Sequence, residues 1–145
     1  MSDDETAIRA LLLAREAAIL RGDAAAALTA YAEDIVNFDL APPLRMVGPA
    51  ARDRDALQQW FDTWDGGPAT RLSEIAVVVD GDLAAVWGLL QLRGISRDGG
   101  RAVDEWSRNS VVLARRDGKW RIIHEHSSYP LRMDGSGMAA VDLLP

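Results

Sequence analysis

The sequence contains no cysteine. Disulfides, zinc–thiolate sites, iron–sulfur clusters and thiol catalysis are therefore excluded. No run approaches the ~18 consecutive apolar residues of a membrane span. Cationic excess is lacking too, since 16 Lys+Arg face 22 Asp+Glu and the net charge is -6. Phosphate affinity comes from cationic patches, so no nucleic-acid partner is expected. The first residues, MSDDETAIRALLL, are acidic where a secretory leader is basic. That predicts a cytoplasmic protein with no membrane partner. Aromatic residues are sparse at 6%, but Trp accounts for 5 of them against 2 Phe. The remainder is ordinary: 145 residues, 48% hydrophobic and 26% charged, enough for one core. No repeat, low-complexity tract or linker interrupts the chain, so residues 1–145 read as a single domain.

The first half reads as helices. Ser2 followed by Glu5 fits a capping box. Ala7, Ile8, Leu11, Leu12, Ala18 and Ile19 form a 3.6-residue stripe that ends at Arg21-Gly22. Asp23 caps a short helix through Ala24–Tyr31. Residues 35–38 form a short strand, and the Pro- and Gly-containing segment 39–49 a loop. Leu57, Trp60, Phe61 and Trp64 mark a third helix, which Gly66-Gly67-Pro68 should stop.

The second half changes period. Residues 72–79, 83–95, 102–114 and 120–129 are apolar runs separated by Asp80-Gly81, Asp98-Gly99-Gly100 and Asp117-Gly118. Asp-Gly between apolar runs signals a tight hairpin, so these four form an antiparallel meander. Strands above ten residues coil, and a coiled sheet offers a concave face to the helices. The expected fold is α+β: a cone-shaped antiparallel sheet, a four-stranded meander plus one short strand, covered by three helices around an internal cavity.

Three stretches carry a resemblance. Tyr31 to Asp39 (YAEDIVNFD), Asp39 to Gly48 (DLAPPLRMVG) and Arg116 to Ser128 (RDGKWRIIHEHSS) resemble the nuclear transport factor 2-like superfamily, specifically its SnoaL-like and ketosteroid isomerase-like members. The last stretch also resembles the association domain of calcium/calmodulin-dependent kinase. The resemblance spans nearly the whole chain and implies the cone. It is less informative about function, because this fold hosts isomerases, dehydratases, cyclases, binding modules and assembly domains.

Asp39 is the first candidate base, since it ends a short strand and opens a loop at the cavity mouth. The resemblance to ketosteroid isomerases implies proton abstraction there, whereas Asp in a turn also bonds its own backbone. The two oxyanion-binding residues of those isomerases, a Tyr and an Asp, are replaced by Arg15 and Ser110, so steroid isomerisation is not expected. Arg15 continues the stripe of Ile8, Leu12 and Ile19. A buried guanidinium needs an anion, from Asp39, Glu125 or a ligand, unless it reaches water beside Glu16.

The resemblance also implies that Trp106, Arg108, Ser110 and Val112 line the cavity with Ile123, Glu125 and Ser127. Arg108 and Glu125 would then pair across neighbouring strands, as a structural ion pair or a site. Strand parity places Trp120, Ile122, His124 and His126 on the outer face, where a second subunit would bury them. A bulge would turn the two His inward as catalytic groups. A metal is not expected, because no third ligand lies near them in sequence. Trp60, Trp64, Trp87 and Trp106 are either core or an aromatic wall for a flat ligand.

Two functions follow. One is a homodimeric domain binding a small, mostly apolar organic molecule, with cofactor-free acid–base chemistry if it is an enzyme: Asp39 as base, Arg15 or Arg108 as oxyanion donor, and His124 and His126 as further catalytic candidates. The other is a non-catalytic binding or oligomerisation module.

Overall fold

A computed structural model describes residues 1–145. Helix α1 spans Asp3–Leu20, and its start is capped where the sequence indicates, Ser2 Oγ accepting from the Glu5 N–H at 3.1 Å. Ile8, Leu12 and Ile19 are buried along one stripe. The short α2, Ala24–Leu28, is capped by Asp23. It ends three residues early because the chain from Tyr31 onward is extended. Strand β1 covers Tyr31–Phe38 and is followed by β2, Met46–Val47, and α3, Arg54–Asp62. The meander is β3 (Trp64–Asp80), β4 (Leu83–Ser96), β5 (Ala102–Arg116) and β6 (Lys119–Ser128).

One curled sheet contains all six strands in the order β2-β1-β6-β5-β4-β3. It is mixed rather than antiparallel, because β1 runs parallel to β6. The three Asp-Gly hairpins join the meander as expected. The third helix is shorter than its apolar spacing suggests, and Trp64 opens β3 instead of closing α3. Gly66 and Gly67, expected to terminate that helix, adopt φ +75° and +83° within β3, where the register shifts between Asp65 and Ala69. Glycine accommodates such a bulge without a Cβ penalty.

A second shift lies between Ser73 and Ala76, with Glu74 at φ 53°. Opposite it, a Cβ on Gly88 would stand 2.6 Å from the Ser73 carbonyl oxygen. The close approach of the two backbones requires glycine there. Helix α1 lies over the inner sheet face, and the main core joins Ile8 and Leu12 to Ile35, Val86, Leu113 and Ile122. A smaller cluster around Phe61 joins α1, α2 and α3. No helix is long and apolar enough to cross a membrane.

Candidate functional site

The polar centre of the inner face is built from α1, β1 and β6. Arg15 continues the buried stripe of α1, and Glu125 projects inward from β6. Arg15 Nη1 and Nη2 donate to the two carboxylate oxygens of Glu125 at 2.6 and 3.2 Å. Nη2 also donates to the Tyr31 hydroxyl at 2.6 Å, and the guanidinium lies 4.7 Å from the Tyr31 ring centre. Burial opposes the charge on Arg15, but the Glu125 carboxylate, with Tyr31 and the more distant Asp39, raises its pKa above the ordinary arginine value. Burial also raises the pKa of the Tyr31 hydroxyl; Arg15 works against that shift, while Glu125 and Asp39 add to it. The result is a neutral phenol beside a fixed ion pair.

This pair borders a cavity of about 60 Å³ between α1 and the sheet. Leu12 and Ile19 form its helix wall, Leu72 and Leu90 its sheet wall, and Glu16, Thr70 and Asn109 add polar groups. Glu16 Oε1 accepts from the Leu72 N–H at 2.6 Å, tying α1 to the bulged stretch of β3. Asn109 is 4% exposed, and its Nδ2 donates to Ser127 Oγ at 2.9 Å. Buried polar side chains in a folded interior are normally partnered on every group. The Asn109 Oδ1 receives no protein hydrogen bond and is not sealed off: it keeps contact with open space, and Asn109 lines the cavity.

Of the expected site residues, the structure brings together Arg15, Glu125 and Ser127. Asp39 does not line the cavity. It is exposed beyond the end of β1, and its Oδ1 accepts from the Leu40 N–H at 2.7 Å, the local turn bond open to any Asp in this position. Its charge nevertheless reaches Arg15 and Tyr31.

The expected inner face of β5 is reversed. Val103, Ser107, Asn109, Val111 and Leu113 are buried, so Trp106, Arg108, Ser110 and Val112 point outward by strand alternation. Arg108 therefore stands opposite Ser128 and does not pair with Glu125. A bulge on β6 corrects a second expectation. Ile122 and His124 face successive residues of β5, leaving Ile123 as the extra residue. Trp120 and Ile122 consequently enter the core while Glu125 and Ser127 remain inside.

His124 and His126 stay outside, stacked edge-on against Phe38 at 4.8 and 5.5 Å. His124 Nδ1 donates to the Val36 carbonyl at 2.8 Å. No group of three or more His, Asp or Glu side chains is placed to hold a metal ion. The four-Trp wall does not form either. Trp87 is 48% exposed on the outer face, and Trp60 packs edge-on against Trp64 at 5.8 Å, away from the cavity.

The sequence pattern of the SnoaL-like domain matches residues 8–132. The chain belongs to the SnoaL-like domain family of the nuclear transport factor 2-like superfamily. Among solved structures, this SnoaL-like protein is similar to a nuclear transport factor 2-like protein of unknown function from Pseudomonas putida KT2440. The two share 27% identity over 98% of this chain and 96% of that one, with a TM-score of 0.84. It shares its fold with a ketosteroid isomerase-like protein from Erwinia carotovora atroseptica SCRI1043, at 20% identity and a TM-score of 0.71 over 88% of this chain and 97% of that one. A nuclear transport factor 2-like superfamily protein from Salmonella enterica serovar Typhimurium LT2 has the same fold, at 19% identity, TM-score 0.73, and coverage of 90% and 94%. No curated protein is similar enough in sequence to match.

Tyr31, Asn109 and Glu16 join the site although no motif in the sequence singles them out for it. Tyr31 could have been found as the first residue of an extended strand. Asn109 shares the buried face of β5 with Val103, Val111 and Leu113, a face that the sequence does not distinguish from the one carrying Trp106 and Val112.

Proposed function

We propose that this SnoaL-like domain binds a small organic molecule, or the end of a larger one, in the cavity between α1 and the inner sheet face. The observation that carries this is the Asn109 Oδ1, free of any protein donor, beside the Arg15–Glu125 pair at a cavity whose apolar walls are Leu12, Ile19, Leu72 and Leu90. Such a wall suits a ligand with one apolar and one hydrogen-bonding side, more polar than the sequence implied. Its size excludes drug-sized ligands, whose pockets run to about 300–1,000 Å³.

The test is chemical-shift mapping with a mixed panel of small amines, alcohols, amides and acids. Shifts should centre on Leu72, Leu90 and Asn109, and Leu90→Trp, which fills the cavity, should abolish them. Shifts confined to the outer face, or unchanged in Leu90→Trp, overturn the proposal.

Acid–base catalysis without a cofactor is the second reading, favoured by a neutral Tyr31 hydroxyl bonded to Arg15 behind the cavity wall and by the Glu125 carboxylate in that wall. In that reading Glu125 takes the place given to Asp39. Binding ranks first because both Glu125 oxygens are engaged by Arg15, which leaves neither free to approach a carbon-bound proton.

A second copy of the chain is the partner we propose for the outer face. Trp87, Val78 and Leu83 are 48%, 54% and 55% exposed there, beside Phe38, His124 and Val112. An apolar face of this kind is rarely left in water, and a two-fold contact would cover it on both copies.

A further inference from the structure

We infer that the cavity selects a short organic cation, a primary alkylammonium group. This rests on the reading of the cavity as a ligand site and adds the charge that the ligand carries there.

Three ionisable side chains line the cavity: Arg15, Glu16 and Glu125. Arg15 and Glu125 neutralise one another. Glu16 forms no ion pair; its Oε1 accepts only the Leu72 N–H, and its Oε2 has no protein partner. One half-buried carboxylate is therefore left uncompensated in the wall. The charge of Asp39, felt by both Arg15 and Tyr31, adds to the negative potential. Charges interact strongly where water is excluded. An anion would meet Glu16 and Glu125 in the same wall, whereas a cation pairs with Glu16 and leaves the Arg15–Glu125 pair in place.

Hydrogen-bonding capacity points the same way. Glu16 Oε2 and Asn109 Oδ1 are acceptors that no protein donor reaches. An ammonium supplies three donors and no acceptor, while a carboxylate supplies none. Arg15 keeps its Nε–H and one Nη1–H without protein partners, which a neutral alcohol or an acid would use; both are therefore arms of the test. The apolar walls receive the alkyl part. At about 60 Å³ the cavity is well below the roughly 150 Å³ that admits benzene, which limits the buried part to about two or three heavy atoms.

The experiment is a set of amide chemical-shift titrations at pH 7 and constant ionic strength with n-propylammonium, 1-propanol and propanoate. It compares the natural chain with Glu16→Gln, which retains an oxygen for the Leu72 N–H. Propylammonium should move the Leu72 backbone and Asn109 side-chain signals with a Kd at least about 10-fold below that of propanoate. Glu16→Gln should remove that preference. Equal or tighter binding of propanol or propanoate at the same signals overturns the charge selection while leaving the cavity a ligand site. Propylammonium binding that Glu16→Gln leaves unchanged also overturns it. If none of the three moves these signals, the ligand-site reading fails with it.

Discussion

Arg15 on the first helix grips both carboxylate oxygens of Glu125 on the last strand, 110 residues further along the chain. The contact fixes α1 against β6 and holds the polar end of the cavity in one geometry. Removing one partner leaves the other charge buried and uncompensated, which typically costs about 3–5 kcal/mol. Arg15→Met should therefore destabilise the protein by about 3 kcal/mol in urea unfolding, toward the low end because Arg15 keeps some solvent contact. Arg15→Met combined with Glu125→Leu should lose clearly less than the sum of the single changes. Additive losses would mean the two side chains are not coupled.

Both tyrosines of the chain should resist ionisation. Tyr31 is raised by burial, opposed by Arg15. Tyr129 is raised by burial and by its 2.9 Å bond to Glu105. A phenol held protonated by the fold adds stability below its unfolded pKa near 10, and that stability is lost as pH rises beyond it. Absorbance at alkaline pH should show little tyrosinate near pH 10 and a rise that coincides with unfolding. Tyr31→Phe should flatten the alkaline fall in stability. Two ordinary titrations in the folded protein would contradict the burial of these hydroxyls.

Gly88→Ala should destabilise the fold. The added Cβ would meet the Ser73 carbonyl at 2.6 Å and Ile75 Cγ2 at 2.9 Å, so backbone must move. Overpacking of this kind costs roughly 1–3 kcal/mol. Thermal unfolding checks it, and an unchanged midpoint would show that the bulged stretch of β3 yields freely.

The meander was legible because Asp-Gly turns and apolar runs are local signals, and the α1 stripe was legible because Ile8, Leu12, Arg15 and Ile19 recur at helical spacing. The face of each strand was not. On β5 both parities carry large apolar residues, Val103, Val111 and Leu113 against Trp106 and Val112, so alternation alone could not choose between them. On β6 the bulge at Ile123 turns Trp120 and Ile122 inward, and a bulge is a property of pairing with β5 rather than of the β6 sequence. Strand β1 extends four residues further toward the N-terminus than expected: its register with β6 shifts between Tyr31 and Val36, and the exposed Glu33 and Asp34 in that stretch hid the extended backbone.

The outer-face contact makes its own prediction. Trp87→Glu places a charge where two copies would meet, yet Trp87 supports none of the core. Sedimentation should show a dimer for the natural chain and a folded monomer for Trp87→Glu. A monomeric natural chain would remove the interface from the account.

The most direct test of the ligand site is a crystal structure of the protein soaked in a cocktail of small amines, alcohols and amides. The account predicts electron density for one of them between Leu12 and Leu90, in contact with Glu16 or Asn109. Density for these molecules only elsewhere on the protein, with Leu12 and Leu90 closed on each other, would contradict it.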